Sequence, residues 1–199
     1  MSLRIYGTSR SRTFRVLWAA KELGLEFDHI PLSWESCRND AAYRSVNPQG
    51  TIPAISDEGF VLTESLAINL YLAQKAQRLW PDVASDQALA LQWSLWAISS
   101  VEDAYTRWAS HTHFLPESLR DVDVAEAAAD ALRRPLEHLN AHLANSDWML
   151  GRHFSIADLN VASVIPLLHR FEADKRPHLS DWLNRCRARP AYHGAAALP

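Results

Sequence analysis

The segment Asn47-Pro48-Gln49-Gly50-Thr51-Ile52-Pro53 constrains the fold of this 199-residue chain more than any other part of it. Asn-Pro and Gly are turn signals, so the backbone before Pro53 is predicted to be irregular. Because proline has no N–H to give to a sheet, Pro53 belongs at the start or edge of a strand. A cis Ile52-Pro53 bond there would leave the N–H and C=O of Ile52 facing outward. These groups can pair with an extended peptide as with one more strand.

A second feature follows soon after, at Glu64 and Ser65. They follow the apolar run Phe60-Val61-Leu62 after one residue, Thr63, where a helix is predicted to begin. A hydroxyl and the backbone N–H groups at a helix start form an anion site. A peptide-pairing edge beside a carboxylate-binding helix start predicts a receptor for a small acidic peptide.

These two features resemble the glutathione-binding half of the cytosolic glutathione transferases, and the resemblance covers nearly the whole chain. Three further segments match in the same order: the strand and helix Leu3–Trp18, the motif Ser155-Ile156-Ala157-Asp158, and the tail from Trp182 to Tyr192. The start of the chain is similar to the bacterial, serine-type members of the family. The resemblance implies an N-terminal thioredoxin-like α/β domain, a C-terminal all-helical bundle domain, and a homodimer.

The local sequence pattern predicts the same organisation. Residues 1–77 are expected to form the thioredoxin-like domain, 78–85 the linker and 86–199 the helical domain. The predicted strands are Arg4–Tyr6, Glu26–Pro31, Pro53–Ser56 and Phe60–Thr63. The predicted helices are Thr13–Leu23, Ala41–Val46, Glu64–Gln77, Asp86–His111, Val122–Ala144, Ile156–Arg170 and His178–Arg187.

Composition excludes several classes of function. The net charge of -3 and the pI near 6.3 give no reason to expect nucleic acid as a partner. No stretch of about 20 apolar residues could span a membrane, and the first residues run into a strand without a signal peptide. Two cysteines are too few for a disulfide framework. We therefore expect a cytoplasmic protein that binds neither nucleic acid nor membrane.

The resemblance implies chemistry at the thiolate of glutathione, a cosubstrate rather than a cofactor. A free thiol has a pKa near 8.5, and lowering it by about 2 units requires roughly 3 kcal/mol of preference for the thiolate. A hydroxyl at the start of the first helix would combine a charged hydrogen bond with the helix dipole. Ser11, at the expected N-cap, is the first candidate, and Ser9 and Tyr6 are the alternatives. A plain helix cap is the structural alternative for Ser11.

The resemblance also assigns residues to the peptide itself. Ile52, with Pro53, would pair with the cysteinyl part of glutathione. Glu64 and Ser65 would hold the amine and the carboxylate of the γ-glutamyl end. The candidates for binding the glycyl carboxylate are Arg44, Asn47 and Gln49. The alternative is that Arg44 is an ordinary surface charge and that Asn47 and Gln49 are ordinary turn residues.

Rival chemistries have weaker support. Cys37 lies in the loop after the second predicted strand, away from the helix start that would activate a thiol, and is read as an ordinary cysteine. His138 and His142 share a helix face, but the zincin pattern needs Glu where this chain has Leu139, so no metal site is predicted. Ser155 and Asp158 have the spacing of a capping box.

The second substrate is expected to be a hydrophobic electrophile. As in the family that the chain resembles, its pocket is predicted between the domains, lined by Tyr105, Trp108, His111 and Phe114, although an aromatic core or a dimer contact would give the same pattern. The leading prediction is a glutathione S-transferase active in detoxification. The alternatives are a glutathione-dependent isomerase like the maleylacetoacetate isomerases, whose Ser-Ser-Cys-Ser start is absent here, and a non-catalytic binding module with the same fold.

Overall fold

A computed structural model describes residues 3–168 and 171–199 of the chain. The described residues divide into two compact units. The first unit spans Met1–Pro81 together with Arg187–Pro199, and the second spans Asp82–Cys186. The predicted fold is confirmed, with a thioredoxin-like mixed sheet in the first unit and a helical second unit.

The first unit is built on a four-stranded mixed sheet in the order β2-β1-β3-β4. The strands are β1 (Leu3–Tyr6), β2 (Phe27–Ile30), β3 (Ala54–Asp57) and β4 (Phe60–Thr63). Strands β1 and β2 are parallel, whereas β3 is antiparallel to both β1 and β4. The helices are α1 (Thr13–Leu23), α2 (Ala41–Val46) and α3 (Ser65–Ala76). The predicted strand-helix-strand-helix-strand-strand-helix order is confirmed.

The end of the chain adds a helix to this unit that the sequence reading missed. Helix α9 (Pro190–Ala196) begins with a proline, whose fixed φ suits the first helical position. The ring of Tyr192 packs edge-on against Phe14 and Trp18 of α1, with centroids 5.0 and 5.1 Å apart. The seven residues of α9 are too few to show a clear helical period, so packing on α1 supplies its stability. The predicted domain boundaries stay a prediction.

The second unit contains the remaining α-helices of the described ranges. They are α4 (Ala84–Trp96), α5 (Asp103–Ala109), α6 (Val122–Leu143), α7 (Ile156–Val164) and α8 (Pro177–Arg187). The predicted long helix over Asp86–His111 is helical throughout, but π-helical turns at Ala97–Glu102 and Ser110–Phe114 divide it into α4 and α5. Hydrophobic periodicity does not resolve a local change from 3.6 residues per turn.

Helix α7 is also shorter than predicted. It ends at Val164, with Ile165 outside the helix and Pro166 in a turn, because the residue before a proline is pushed out of the helical region. The end of the predicted range, residues 169–170, lies outside the described residues. No helix of the described ranges combines the length and apolarity needed to cross a membrane.

The predicted capping box at the start of α7 is confirmed and is part of a larger network. Asp158 Oδ2 accepts hydrogen bonds from the N–H and the hydroxyl of Ser155, at 2.9 and 2.8 Å. Its Oδ1 accepts from the Met149 N–H and from Trp182 Nε1, both at 2.8 Å. Burial raises the pKa of Asp158, and these donors act in the opposite sense. One buried carboxyl group therefore joins the loop before α7 to α8.

Candidate functional site

Gly7 brings three predicted site segments together in the first unit. It has φ +124°, and a Cβ on it would lie 2.0 Å from Thr13 Oγ1 and 3.1 Å from Ile52 Cβ. Only glycine fits such a close approach. The loop after β1, the start of α1 and the Ile52-Pro53 segment consequently meet at one end of the sheet.

Ser11 lies in the loop that enters α1, but the prediction that it is the N-cap is wrong. Arg12 occupies that position, because a turn in which the Ser11 carbonyl accepts from the Phe14 N–H precedes the helix. Ser11 Oγ still accepts from the Thr13 N–H at 3.1 Å. Thr8 O and Thr13 Oγ1 lie 2.8 and 2.9 Å from Ser11 Oγ as acceptors. A hydroxyl has one proton, so Ser11 can redirect it to an anion while keeping the accepted bond.

The other two candidate hydroxyls have different surroundings. Ser9 Oγ donates to the Leu198 carbonyl at 2.6 Å, and the Ser9 N–H donates to the Pro199 carbonyl at 2.9 Å. Tyr6 is 8% exposed and packs against the ring of Tyr43, with centroids 5.4 Å apart. Ser9 is thus occupied by the end of the chain, and Tyr6 belongs to the core of the sheet domain.

The Ile52-Pro53 bond is cis. No hydrogen bond among the described residues uses the backbone N–H or C=O of Ile52. Thr51, the residue before Ile52, is held in place by two hydrogen bonds to its carbonyl. One comes from the Tyr43 hydroxyl, and the other comes from Asn47 Nδ2 at 2.8 Å. Burial raises the pKa of Tyr43, which keeps its hydroxyl protonated and donating. The structure therefore holds this segment in place while leaving the polar groups of Ile52 available.

Glu64 and Ser65 stand at the start of α3, as predicted. Glu64 is exposed and has φ +68°, a region that non-glycine residues rarely adopt and that is enriched at functional sites. Ser65 is the first helical residue and is 5% exposed. The first N–H groups of α3 and a hydroxyl thus form a predicted anion site.

Arg15 is a candidate site residue that sequence reasoning missed. Its side chain is 7% exposed, and Nη1 donates to Ser65 Oγ at 3.2 Å. It brings a positive charge to the start of α3. The available signal was an arginine inside the otherwise apolar run Phe14–Trp18, because arginine is rarely buried without a specific role.

The candidates for the glycyl carboxylate separate into two kinds. Arg44 and Gln49 are exposed, and no hydrogen bond within the described ranges engages their side chains. Asn47 is 3% exposed, and its amide serves the loop through Thr51 and the Gln49 N–H. Arg44 and Gln49 therefore stay candidates, whereas Asn47 holds the loop together.

The residues predicted to line the acceptor pocket lie in the second unit. Tyr105 and Trp108 are each 6% exposed, and the Tyr105 hydroxyl accepts from the Leu167 N–H at 3.1 Å. His111 Nδ1 accepts from the Asp121 N–H at 3.0 Å, and Phe114 is 68% exposed. The first two side chains form part of the core of this unit, and the other two are accessible.

The rival chemistries gain no geometric support. Cys37 is buried, and its Sγ donates to the Gly50 carbonyl at 3.0 Å. His138 stacks on Trp93, and His142 Nε2 bonds to the Met149 carbonyl at 3.0 Å. Within residues 3–168 and 171–199, no three His, Cys, Asp or Glu side chains are grouped to hold a metal ion.

Comparison with protein families matches two models to this chain. Residues 1–74 match "Glutathione S-transferase, N-terminal domain", and residues 101–190 match "Glutathione S-transferase, C-terminal domain". The first match contains every candidate residue for glutathione, and the second contains the predicted acceptor-pocket residues.

Individual relatives agree along their full length. Glutathione S-transferase 3 of Zea mays is 31% identical, over 99% of this chain and 95% of its own. Glutathione S-transferase GstB of Escherichia coli K12 is 28% identical, over 99% of both chains. The theta class glutathione S-transferase of Xanthomonas axonopodis pv. citri, solved with glutathione bound, is 30% identical with a TM-score of 0.90, over 99% of this chain and 98% of its own.

Proposed function

The chain belongs to the glutathione S-transferase family and is a glutathione transferase, and from this premise we propose how its own residues bind and activate glutathione. The observation that carries the proposal is the convergence at Gly7. The hydroxyl-bearing loop, the unpaired backbone of Ile52 and the start of α1 all meet there. The nearby start of α3 is tied to α1 through Arg15 and Ser65.

Glutathione lies along the Ile52 edge in this proposal. The N–H and C=O of Ile52 pair with the backbone of the cysteinyl residue, and Pro53 fixes the course of the chain at that point. The γ-glutamyl carboxylate binds at the first N–H groups of α3 and the Ser65 hydroxyl, where Arg15 adds positive charge. Glu64 accepts from the γ-glutamyl amine. Arg44 and Gln49 are the proposed partners of the glycyl carboxylate.

Ser11 is the proposed donor to the thiolate. A hydrogen bond to a charged acceptor contributes about 1.5–3 kcal/mol, and the nearby helix start adds up to about 2 kcal/mol. Together they reach the roughly 3 kcal/mol that lowers the thiol pKa by about 2 units. The main-chain N–H groups of Ser11, Thr13 and Phe14 have partners in the loop. The Ser11 hydroxyl donates to Thr8 O or Thr13 Oγ1, and in this proposal it rotates from these acceptors towards the sulfur.

The proposed reaction is direct attack of the glutathione thiolate on an electrophilic carbon. The sulfur lone pair forms the new C–S bond. In a substitution, the leaving group departs with the electron pair of its bond to carbon, and in an addition, a proton from water joins the neighbouring carbon. No covalent intermediate with the enzyme and no cofactor is required.

We propose a hydrophobic electrophile as second substrate, with the accessible His111 and Phe114 lining its pocket, since Tyr105 and Trp108 belong to the core of the second unit. The accessible Phe114 ring and the partly exposed His111 side chain support an apolar, aromatic ligand. Conjugation of such compounds fits a role in detoxification. Two buried cysteines that form no disulfide in the described part of the chain fit the reducing cytoplasm. The homodimer implied by the family is proposed for this chain as well.

Neither alternative function gains a specific observation. The loop reads Thr8-Ser9-Arg10-Ser11 rather than the isomerase start, and an accessible Ser11 hydroxyl beside unused Ile52 backbone groups suits an enzyme better than a passive module.

The decisive experiment is a titration of bound glutathione. The ultraviolet absorbance of the thiolate is followed against pH in the wild type, Ser11→Ala, Ser9→Ala and Tyr6→Phe. We expect Ser11→Ala to raise the thiol pKa by about 1–2 units, the equivalent of one charged hydrogen bond. An unchanged pKa in Ser11→Ala would remove Ser11 from the role, and absence of glutathione binding at millimolar concentration would refute the site itself.

A further inference from the structure

The last residues of the chain run along α1 as a strap, defined here as residues 189–199. Arg189 Nε donates to Glu22 Oε1 at 3.0 Å, near the end of α1. Tyr192 packs on Trp18 and Phe14, further towards its start. Leu198 and Pro199 then reach Ser9, before α1 begins. The strap is therefore antiparallel to α1 and ends on the loop that carries Ser11.

The contact at the end of the strap is specific. Ser9 engages it twice, through its hydroxyl to the Leu198 carbonyl at 2.6 Å and through its N–H to the Pro199 carbonyl at 2.9 Å. Ser9 belongs to the turn in which the Ser11 N–H and hydroxyl both bond to the Thr8 carbonyl, at 3.1 and 2.8 Å. A displacement of Ser9 would consequently be transmitted to Ser11 through this turn.

The other side of the loop is held separately. The Gly7 N–H donates to the Ile30 carbonyl at 3.0 Å, and His29 Nε2 bonds to the Gly7 carbonyl at 2.7 Å. These bonds fix the loop to the sheet at Gly7. Arg10, between Ser9 and Ser11, is exposed. The strap thus holds the middle of the loop at Ser9, whereas the contacts with the sheet hold it at Gly7.

We propose that the strap positions the thiolate donor, with Leu198 and Pro199 holding Ser9 so that the Ser11 hydroxyl faces the sulfur. This inference rests on the proposed role of Ser11. Ser9 is then a positioning residue rather than a catalytic one. The physical reason is that a charged hydrogen bond needs its donor at a fixed place, and misplacement by a fraction of an ångström weakens it without changing any group that touches the substrate.

The test compares Ser9→Ala, a chain ending at Ala197, and the combination of both. The first removes one bond to the strap, and the second removes both while keeping the Ser9 hydroxyl. Bound glutathione is titrated through its thiolate absorbance, and kcat and KM are measured with an activated aryl halide. We expect each variant to lower kcat about three- to tenfold and to raise the thiol pKa, with a smaller change in KM for glutathione. The combination should match the truncation alone, because both act on one contact.

Ser9→Thr and Ser36→Ala are the matched controls. Ser9→Thr keeps a hydroxyl and should restore the pKa, and Ser36→Ala removes a similar bond, from Ser36 Oγ to the Ser33 carbonyl at 3.1 Å, elsewhere in the unit. A thiol pKa raised by Ser9→Ala but unmoved by truncation would make Ser9 itself the donor and overturn the inference. An unchanged pKa in both variants, together with a raised pKa in Ser11→Ala, would refute the positioning role of the strap and leave the role of Ser11 intact. An ineffective Ser11→Ala would instead refute the proposed function.

Discussion

At the residue scale, the site depends on backbone geometry and on a few buried polar contacts. The three hydroxyls that the sequence left open are alike in chemistry, and their neighbours separate them. The hydroxyl of Ser9 bonds to the strap, and Tyr6 packs against Tyr43. Ser11 can turn its O–H towards a ligand and donate a hydrogen bond to it, while its oxygen still accepts from the Thr13 N–H. The contacts of the three hydroxyls, rather than their residue type, therefore favour Ser11 as the proposed thiolate donor.

Glu64→Gly tests whether backbone strain is tolerated at Glu64 because its carboxylate binds glutathione. Its conformation, at φ +68°, costs about 1–3 kcal/mol for a residue with a side chain, whereas glycine adopts it freely. We expect urea unfolding to show a stability gain of roughly 1 kcal/mol and glutathione titration to show at least about tenfold weaker binding. Glu58→Gly, with φ +52° in the turn between β3 and β4, is the control and should leave binding unchanged. Unaltered glutathione affinity in Glu64→Gly would argue against its role.

Tyr43→Phe tests the clamp on Thr51. The loss of one hydrogen bond to the Thr51 carbonyl loosens the segment before Ile52, although Asn47 still holds it. We expect KM for glutathione to rise about three- to tenfold, because about 1 kcal/mol of binding free energy is lost. The value of kcat should stay within about twofold of the wild type. Tyr71→Phe removes a comparable bond, to Asp57 at the other end of β3, and should not change KM. A fall in kcat at constant KM would contradict this reading.

At the element scale, the predicted bounds of helices and strands are correct where the sequence contains local start and stop signals. The predicted bounds of α1, α2 and β4 agree with the structure, since Gly24, Asp40 and the Asp57–Phe60 turn are local stop and start signals. Helix α9 and the π-helical turns of the second unit were missed, because packing against neighbouring helices stabilises them.

Asp158→Asn tests the network at the start of α7. The amide replaces one carboxylate oxygen with a donor, so two of the four hydrogen bonds to Asp158 lose their acceptor in the core. We expect a loss of about 2–4 kcal/mol in the free energy of unfolding, more than the 0.5–2 kcal/mol of a helix cap alone. Asp147→Asn, at an exposed position, is the control for urea unfolding. A loss below about 1 kcal/mol would show that the cap is the whole contribution of Asp158.

Glu172→Gln tests the ion-pair network beside α8. Burial raises the pKa of Glu172, but hydrogen bonds from Arg176, Lys175 and Arg133 outweigh it and lower the pKa from 4.5 to about 2. A lowered pKa contributes stability above pH 4.5 that is lost as the pH falls towards 2. We expect Glu172→Gln to be about 1–2 kcal/mol less stable at pH 7, after allowance for solvent screening, and equal to the wild type near pH 2. Glu126→Gln is the exposed control, and a pH-independent difference would contradict the assignment.

At the scale of the whole molecule, the proposed assembly follows from an apolar stripe that neither unit buries. Leu91, Leu95 and Ile98 recur at helical spacing on α4 and the turn after it, and are 44%, 68% and 41% exposed. A contiguous exposed apolar stripe marks a surface that associates.

Leu95→Glu tests the homodimer. A charge in the centre of the stripe would have to be desolvated on association, which costs several kcal/mol. We expect sedimentation equilibrium to show a dimer for the wild type and a monomer for the variant. Leu119→Glu, at a residue that is 63% exposed outside the stripe, should remain dimeric. A monomeric wild type would refute the proposed assembly.

The sequence by itself determined the family, the order of elements in the sheet domain, and the two ends of the proposed glutathione site at Ile52-Pro53 and Glu64-Ser65. It could do so because turns, proline geometry and helix starts are local properties of the chain. Only the tertiary structure decided that Arg15 supports Ser65, that Asp158 joins α7 to α8, and that Ser9 is held by Leu198 and Pro199. These contacts join residues far apart in sequence, and no local pattern encodes which of them will meet.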